Sequence, residues 1–148
     1  MSDSQIPFRI EHIDHVVFRV RDLDASVAFY RKALGCEVAR IREDLGLVHL
    51  RAGTCLIDLV SVSGRLGAAG GAPPRADGHN VDHVCLRIDA FDEARLASHL
   101  SACGAAPRGP ATVNFGAQGQ GPSLYFTDPD GNRIELKGPA TAGTAGGR

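Results

Sequence analysis

A histidine-containing segment occurs twice in this chain. Residues 13–20 read IDHVVFRV and residues 81–88 read VDHVCLRI, which places His15 and His83 at equivalent positions of the two segments. Repetition of this kind indicates two copies of one structural unit. If both copies fold alike, two neutral imidazoles can meet at a pseudo-symmetric centre, which is half of a divalent-metal site. An enzyme is therefore the first hypothesis.

The composition narrows the class of protein. With 148 residues, of which 43% are hydrophobic, the chain fits one compact domain or two small modules that share a core. Its 16 basic and 17 acidic side chains form no basic cluster, which argues against a nucleic-acid partner. We find no signal peptide and no apolar run approaching the roughly 20 residues of a bilayer helix, so we expect a cytoplasmic protein without membrane contact. The four cysteines form no C-x-x-C pair, and we expect buried free thiols.

The first copy predicts a βαβββ unit. A period-two strand over residues 13–20 precedes the capping carboxylates Asp22 and Asp24. Apolar residues then follow at helical spacing, and Gly35 ends the helix. Strand-like runs cover residues 36–41, 45–50 and 54–62, with a turn at residues 51–53.

The second copy repeats this plan. A strand over residues 81–88 leads to a helix that is capped by Asp89 or Asp92 and ends before Gly104. Residues 105–120 are poorly patterned, and strands follow at 122–127 and 132–137. The sequence DPDG at 128–131 joins them as a hairpin turn, because proline presets φ and glycine accepts a positive φ.

These patterns define the expected organisation of the chain. We predict a flexible N-terminus at residues 1–9, a first βαβββ module at 10–62, a surface linker at 63–80, a second βαβββ module at 81–138 and a disordered tail at 139–148.

Both histidines share a strand face with an arginine. Side chains alternate along a strand, so His15 points the same way as Arg19, and His83 points the same way as Arg87. Of the remaining histidines, His49 could line the same face, although packing against the helix or exposure is the expected outcome.

The last strand of each copy offers a carboxylate between an isoleucine and a leucine. These residues are Asp58 and Glu135. A buried carboxylate needs a compensating charge, which a metal ion would supply. A strand end that faces solvent, or a salt bridge to Arg19 or Arg87, is the alternative.

These residues resemble the vicinal oxygen chelate superfamily, which includes glyoxalase I, methylmalonyl-CoA epimerase, extradiol dioxygenases and the fosfomycin and bleomycin resistance proteins. The resemblance covers about residues 10 to 138. It rests on IDHVV at 13–17, SVAFY at 26–30, LG at 34–35, VDHV at 81–84 and, most specifically, LYFTDPDGNRIEL at 124–136. It implies an α+β fold in which two βαβββ modules form a cup-shaped mixed sheet with the helices on the outside.

By position, the resemblance implies that His15, His83 and Glu135 are metal ligands. Asp58 stands where glyoxalase I usually has a glutamate that completes the site and works as a base, and it is one methylene shorter. The implied cofactor is a divalent ion, Zn²⁺, Ni²⁺, Co²⁺, Mn²⁺ or Fe²⁺, because imidazoles and carboxylates suit these ions. The resemblance also implies a homodimer, and the linker is long enough for a cup within one chain or one exchanged between chains.

The leading function is a divalent-metal-dependent lyase or isomerase of the glyoxalase type, acting on a small molecule with neighbouring oxygens. Glu135 or Asp58 would move a proton from the carbon beside a carbonyl, and the ion would stabilise the resulting enediolate or oxyanion. The sequence leaves open whether Tyr125 or Phe126 faces the site. Substrate contacts are expected from two strand arginines and from a glycine-rich rim: Arg19, Arg87, Gln118, Ser123 and Tyr125.

Three other functions fit the same residues. An Fe(II) extradiol dioxygenase would use the two histidines and Glu135 as a facial triad, leaving Asp58 surplus. A fosfomycin-modifying enzyme is favoured by the G-x-G-P-S-L-Y-F approach to the hairpin, and disfavoured by the Gly/Ala tail soon after Glu135. A drug-binding dimer of the bleomycin-resistance type is the non-enzymatic alternative, although such proteins commonly lack the ligands that this sequence keeps.

Overall fold

The computed structural model describes residues 9–141. The first module has the predicted βαβββ order, with a short 3-10 turn at Glu43–Leu45 before its third strand. Its elements are β1 (His15–Val20), α1 (Leu23–Leu34), β2 (Glu37–Arg42), β3 (Leu47–Ala52) and β4 (Cys55–Ser61).

Helix α1 begins and ends where the sequence predicts. The Asp22 carboxylate accepts a hydrogen bond from the Ala25 amide at 2.9 Å, which satisfies a donor that the helix leaves unpaired. At the other end, Gly35 has φ of 68°, a left-handed conformation that glycine adopts without strain. The N-cap and C-cap signals therefore fix both ends of the helix.

The second module repeats the order but contains a strand that the sequence does not reveal. Its elements are β5 (Val84–Arg87), α2 (Glu93–Ala102), β6 (Thr112–Gly116), β7 (Gly119–Thr127) and β8 (Arg133–Lys137). Strand β6 lies in the poorly patterned stretch. Its apolar residues Val113 and Phe115 are exposed, whereas Asn114 between them is partly buried. The usual alternation is thus inverted, which hides the strand from an analysis based on apolar periodicity.

The strands form two four-stranded mixed sheets with the orders β1-β4-β3-β2 and β5-β8-β7-β6. In each sheet the first strand runs parallel to the last one. Val17 pairs with Asp58, and Cys85 pairs with Glu135. Each carboxylate therefore lies across from the residue two positions after a histidine. The predicted α+β class with two βαβββ modules is confirmed, and the sequence repeat extends to strand register.

Helix α1 joins the two modules through a shared core. The Tyr30 ring stacks on Phe18 of β1 with centroids 6.3 Å apart, and Phe29 contacts Phe126 of β7 at 6.4 Å. The buried Tyr30 hydroxyl donates a 2.8 Å hydrogen bond to Asp128 in the DPDG turn. The helix of the first module thus holds the hairpin turn of the second.

Arg19 fixes the start of the linker. Its guanidinium donates four hydrogen bonds of 2.7 to 3.1 Å to the carbonyl oxygens of Gly67, Gly71 and Ala72, around a 3-10 turn at Gly67–Gly70. A Cβ atom at Gly67 would lie 1.8 Å from the Ser61 carbonyl oxygen, so this close approach requires glycine. Most linker residues are nevertheless exposed.

The predicted flexible N-terminus and disordered tail fall largely outside the described residues. Where the tail is described, the Thr141 amide donates a hydrogen bond to the Gln120 carbonyl oxygen, as the Gly138 amide just before the tail does to Pro122, so this part of the chain follows β7. Between residues 9 and 141, no helix combines the length and apolar character that crossing a membrane requires.

Candidate functional site

The first candidate half-site lies on the face of β1 and β4 opposite the core. His15 pairs in register with Leu56, which places its imidazole on the same face as Asp58 two residues along β4. The imidazole is 47% exposed. A hydrogen bond with the Asp14 carboxylate raises the pKa of His15, and the charge of Asp58 adds to this effect. The two predicted ligands of the first module are therefore neighbours.

Asp58 has a partner that the sequence analysis did not assign. His49 on β3 lies directly across from Asp58, and its Nδ1 is 2.8 Å from Oδ1. The Asp58 side chain is only 6% exposed, which excludes a strand end facing solvent. The expectation that His49 packs against the helix or is exposed is wrong. The buried carboxylate instead gains a hydrogen-bonded imidazole on the same sheet face.

The second half-site repeats this arrangement around His83. Its Nε2 lies 3.7 Å from Oε2 of Glu135, and its Nδ1 lies 2.7 Å from Oδ1 of Asp82. In the first module Asp14 contacts Nδ1 of His15 at the same distance of 2.7 Å. A carboxylate on Nδ1 orients the ring and leaves Nε2 as the free nitrogen, which is the arrangement found around metal-binding histidines.

Glu135 accepts several hydrogen bonds through one of its oxygens. The Tyr125 hydroxyl, directly across the strand pair, donates to Oε1 at 2.6 Å, and the Asn114 amide donates to the same atom at 3.0 Å. The His83 ring lies edge-on to the Tyr125 ring. Tyr125 therefore faces the site, whereas Phe126 is in the core. Oε2 remains directed toward His83.

These contacts lower the pKa of Glu135 and raise the pKa values of Tyr125 and Cys85. Burial alone would raise the pKa of Glu135, but hydrogen bonds from Cys85, Tyr125 and Asn114 outweigh it and lower the pKa to about 2. The bond to Glu135 raises the pKa of Tyr125 to about 12. Burial and the same carboxylate raise the pKa of Cys85 to about 12. Glu135 is thus an anion at neutral pH, which suits a ligand better than a general base.

The cysteines are all free, but the expectation of buried thiols holds only for Cys36. Cys85 is exposed on the site face of β5, where it contacts Glu135. No dithiol or disulfide is formed by the four side chains, all of which lie within the described residues.

Two buried polar side chains border Glu135. The Ser123 hydroxyl is near enough to help lower the pKa of Glu135, yet it makes no well-aligned hydrogen bond within residues 9–141. Lys137 follows Glu135 on the same face of β8, and its Nζ donates to the carbonyl oxygens of Asn114 and Gly121. Lys137 thereby ties β8 to the β6–β7 hairpin.

The other expected substrate contacts already have protein partners. The hydrogen-bonding groups of Arg19 are directed to the linker. Arg87 donates through Nη1 to the side-chain oxygen of Gln118 and through Nε to the Ile88 carbonyl oxygen at 3.1 Å. Gln118 lies in the turn between β6 and β7, so the predicted glycine-rich rim is part of a hairpin. Beside His83, the linker, β1 and Arg133 line a cavity of about 320 Å³.

The donor chemistry of the two half-sites fits a divalent metal ion. Each half supplies one imidazole with a free Nε2 and one carboxylate, the donor types that Zn²⁺, Ni²⁺, Co²⁺, Mn²⁺ and Fe²⁺ accept. The four predicted ligands are brought together as two pairs, His15 with Asp58 and His83 with Glu135. Between residues 9 and 141, no group of three or more His, Cys, Asp or Glu side chains is placed to hold one ion.

Comparison with known proteins identifies the family. The family model described as the Glyoxalase/Bleomycin resistance protein/Dioxygenase superfamily matches residues 12–136. The chain belongs to this superfamily. The match covers both histidine segments and the hairpin that carries Glu135, so the resemblance inferred from the motifs is confirmed.

Relatives within the superfamily have different names. The ethylmalonyl-CoA/methylmalonyl-CoA epimerase of Cereibacter sphaeroides is 26% identical over 127 residues, which cover 83% of this chain and 92% of that protein. An integron cassette protein from the mobile metagenome of V. cholerae is 27% identical, with a TM-score of 0.68 over 91% of this chain and 100% of that one. The fosfomycin resistance protein FosX of Mesorhizobium loti is 20% identical, with a TM-score of 0.63 over 89% and 95%. At this identity, the likeness to FosX shows a shared fold.

Sequence reasoning missed three residues that contact the strand carboxylates, and it assigned no role to the aspartates that contact His15 and His83. His49 and Cys85 are visible in the sequence, but their contacts with Asp58 and Glu135 depend on strand register. Asn114 lies on the unrecognised strand β6. A polar residue between exposed apolar ones was the available signal for Asn114, because it indicates a strand with its polar face turned inward.

Proposed function

We propose that this protein is a divalent-metal-dependent isomerase or lyase of the glyoxalase type that acts on a small molecule with neighbouring oxygens. The observation that carries the proposal is the pair of matching Asp-His contacts, each of which leaves an imidazole Nε2 free beside a strand carboxylate. Membership of the superfamily supports the proposal, as does a relative that is named as an epimerase, which is an isomerase.

The proposed ligand set assigns Glu135 to the ion and leaves Asp58 free to act as a base. His15, His83 and Glu135 would hold the ion, which would supply positive charge where negative charge develops on two substrate oxygens. Tyr125 and Asn114 hold one oxygen of Glu135, so the other is available as a ligand. Because its pKa is about 2, Glu135 takes up a proton poorly near neutral pH.

Asp58 is the better candidate for moving the proton. Its buried carboxylate shares the face of His15, and its Oδ1 contacts Nδ1 of His49. A neutral imidazole accepts a proton at one ring nitrogen and donates from the other, so His49 can pass on the proton that Asp58 takes from the substrate carbon. Asp58 and His49 would thus work as a base and its relay.

We infer that a second copy of the chain completes the site. The described part of one chain contains two separate ligand pairs rather than one cluster of three. A symmetric dimer can bring His15 of one copy to His83 and Glu135 of the other, and it makes two equivalent sites. The proposed assembly is therefore a homodimer.

Solvent-deuterium exchange tests the reaction. The protein, loaded with the metal it carries when isolated, is incubated in D₂O with methylmalonyl-CoA, a methylglyoxal–thiol adduct, a catechol or fosfomycin. We expect deuterium at the carbon beside a carbonyl of one of the first two compounds. The Asp58→Asn variant should lose this exchange and keep its metal, whereas His12→Ala, at an exposed position, should retain both. Oxygen uptake with catechol and Fe²⁺, or modification of fosfomycin, would replace the proposal, and a metal-free protein without turnover would indicate a binding module.

Mixing two inactive variants tests the second copy. In a dimer of one His15→Ala chain and one His83→Ala chain, one site keeps all its ligands and the other loses both histidines. Random mixing should restore about a quarter of the wild-type metal content, because half of the dimers are mixed and half of their sites are intact. The double variant His15→Ala/His83→Ala, mixed with His83→Ala, should restore none. If the first mixture recovers nothing although the chains exchange, the site lies within one chain.

A further inference from the structure

An arginine-lined cleft lies beside the DPDG turn. Its volume is about 660 Å³, within the range of roughly 300 to 1,000 Å³ that is usual for small-molecule sites. The linker, the β7–β8 turn and the residue before the N-cap of α1 form its walls. The charged residues of the lining are Arg21, Arg75, Arg108, Arg133, Asp82 and Asp130.

Two of the arginines lie within ion-pair distance of the two aspartates. Nη1 of Arg21 lies 3.4 Å from Oδ1 of Asp130, whose side chain is only 3% exposed. Nη1 of Arg133 lies 3.7 Å from Oδ1 of Asp82. Asp130 also accepts a hydrogen bond from the Arg21 amide, and Asp82 contacts His83. With four arginines and two aspartates, the described lining carries more positive than negative charge.

Arg75 and Arg108 leave positive charge uncompensated in the cleft. The Arg108 amide donates a 2.8 Å hydrogen bond to the Tyr125 carbonyl oxygen, which fixes the backbone at this position. The Arg108 guanidinium has no polar partner among residues 9–141. Arg75 lies 3.4 Å from Asp77, and both side chains are more than three-quarters exposed. Solvent weakens an ion pair of this kind, so it does little to cancel the charge of Arg75.

We propose that this cleft binds a phosphate-bearing small molecule through Arg75 and Arg108. A phosphate monoester carries about two negative charges near neutral pH, which matches the two uncompensated guanidiniums. A guanidinium can donate two parallel hydrogen bonds to phosphate oxygens, a geometry that a lysine cannot provide. No Phe, Tyr or Trp is among the described lining residues and His79 is the one aromatic ring there, so the arginines offer the phosphate group more contacts than the cleft offers a stacked base.

This binding does not depend on the proposed metal site. Asp82, which contacts His83, is part of the lining, but the uncompensated charges come from Arg75 and Arg108, and neither arginine is a proposed ligand or contacts one. The test can therefore use protein that has been stripped of metal and dialysed into metal-free buffer without phosphate. Loss of the metal chemistry and loss of phosphate binding are then separate results.

Calorimetric titration with inorganic phosphate, pyrophosphate, ribose 5-phosphate and malonate tests the proposal. We expect saturable binding of the phosphate compounds, weakened roughly tenfold in Arg75→Ala and in Arg108→Ala and further in the double variant. Arg95→Ala removes the same charge from the exposed surface of α2 and should bind like the wild type. His83→Ala should also bind like the wild type, which separates this site from the proposed metal centre.

The probes distinguish the sources of the phosphate group. Tighter binding of ribose 5-phosphate than of inorganic phosphate indicates an organic phosphate, and equal binding indicates the free ion. Arg108→Lys keeps the positive charge but loses the planar guanidinium, so it should weaken phosphate binding less than Arg108→Ala does. It replaces the alanine variant in the test if that variant folds poorly. The proposal is overturned if no phosphate compound binds, if malonate binds more tightly than the phosphates, or if Arg75→Ala and both Arg108 variants bind like the wild type.

Discussion

Tyr125 lies directly across from Glu135 on the neighbouring strand, and its hydroxyl donates a 2.6 Å hydrogen bond to Oε1. In the first module His49 takes the same cross-strand position against Asp58, at 2.8 Å. With a pKa of about 12 the Tyr125 phenol keeps its proton near neutral pH, whereas a neutral imidazole has one ring nitrogen that donates and one that accepts. The same register therefore produces a fixed anion in one module and, in the function proposed above, a proton-exchanging pair in the other.

The low pKa of Glu135 predicts a loss of stability in acid. The folded pKa of Glu135 is about 2, below the ordinary value of 4.5. Its ionised carboxylate therefore stabilises the fold at pH values above 4.5, and this contribution is lost as the pH falls from 4.5 toward 2. In metal-free protein, Tm should therefore fall less between about pH 5 and pH 2 in Glu135→Gln than in the wild type. Glu37→Gln, at an exposed carboxyl, should behave like the wild type. Parallel curves for wild type and Glu135→Gln would refute this effect.

Asp82 should set the metal affinity of the site without being a ligand. Its carboxylate contacts Nδ1 of His83 and so orients the ring. Removal of such a partner typically weakens metal binding about 10- to 100-fold. Competition titration with a chromogenic chelator should show this loss in Asp82→Asn, and Asp14→Asn should behave alike because of the repeat. Asp77→Asn, at an exposed linker position, is the control, and an equal affinity in all four proteins would exclude the orienting role.

The Tyr30–Asp128 hydrogen bond should contribute measurably to stability. Both side chains are buried, and the bond joins α1 to the DPDG turn of the other module. Tyr30→Phe keeps the ring and removes the hydroxyl, so urea denaturation should show a loss of about 1 to 3 kcal/mol in the free energy of unfolding. In a double-mutant cycle with Asp128→Asn, the two changes should not be additive. Additive losses would mean that the bond itself contributes nothing.

Arg19 should protect the linker from proteolysis. Its four hydrogen bonds to linker carbonyl oxygens hold the chain around Gly67–Gly70. In Arg19→Ala, limited trypsin digestion should cut after the exposed Arg75 several-fold faster than in the wild type, because the linker opens locally. Arg95→Ala should leave the rate unchanged. If Arg19→Ala weakens substrate binding while cleavage stays slow, Arg19 serves the substrate instead.

Much of the fold could be predicted because it depends on local signals. The N-cap Asp22, the left-handed Gly35 and the DPDG turn each act through their own backbone, so their effects are readable from neighbouring residues. Strand β6 could not be found in this way, because it exposes Val113 and Phe115 and turns Asn114 inward. A local pattern reports burial only when the apolar face is the buried one.

The proposed ligands could be named from the sequence, but their contacts could not. Family motifs point to His15, His83 and Glu135 as ligands, and strand alternation places Arg19 on the face of His15. The contacts of His49 with Asp58 and of Arg19 with the linker depend on cross-strand register and on the path of a distant loop. The neighbouring residues in the sequence reveal neither this register nor the path of the loop.

Metal binding by purified variants tests the shared-ion site most directly. Elemental analysis after incubation with Ni²⁺, Zn²⁺ or Mn²⁺ should show one ion per chain in the wild type and almost none in His15→Ala, His83→Ala and Glu135→Gln. His79→Ala and His99→Ala, both exposed and outside the ligand set, should keep the ion. Thermal stability should rise with added metal only in the proteins that retain it. Full metal content in His15→Ala and His83→Ala, or its absence from the wild type with any of these ions, would contradict the account.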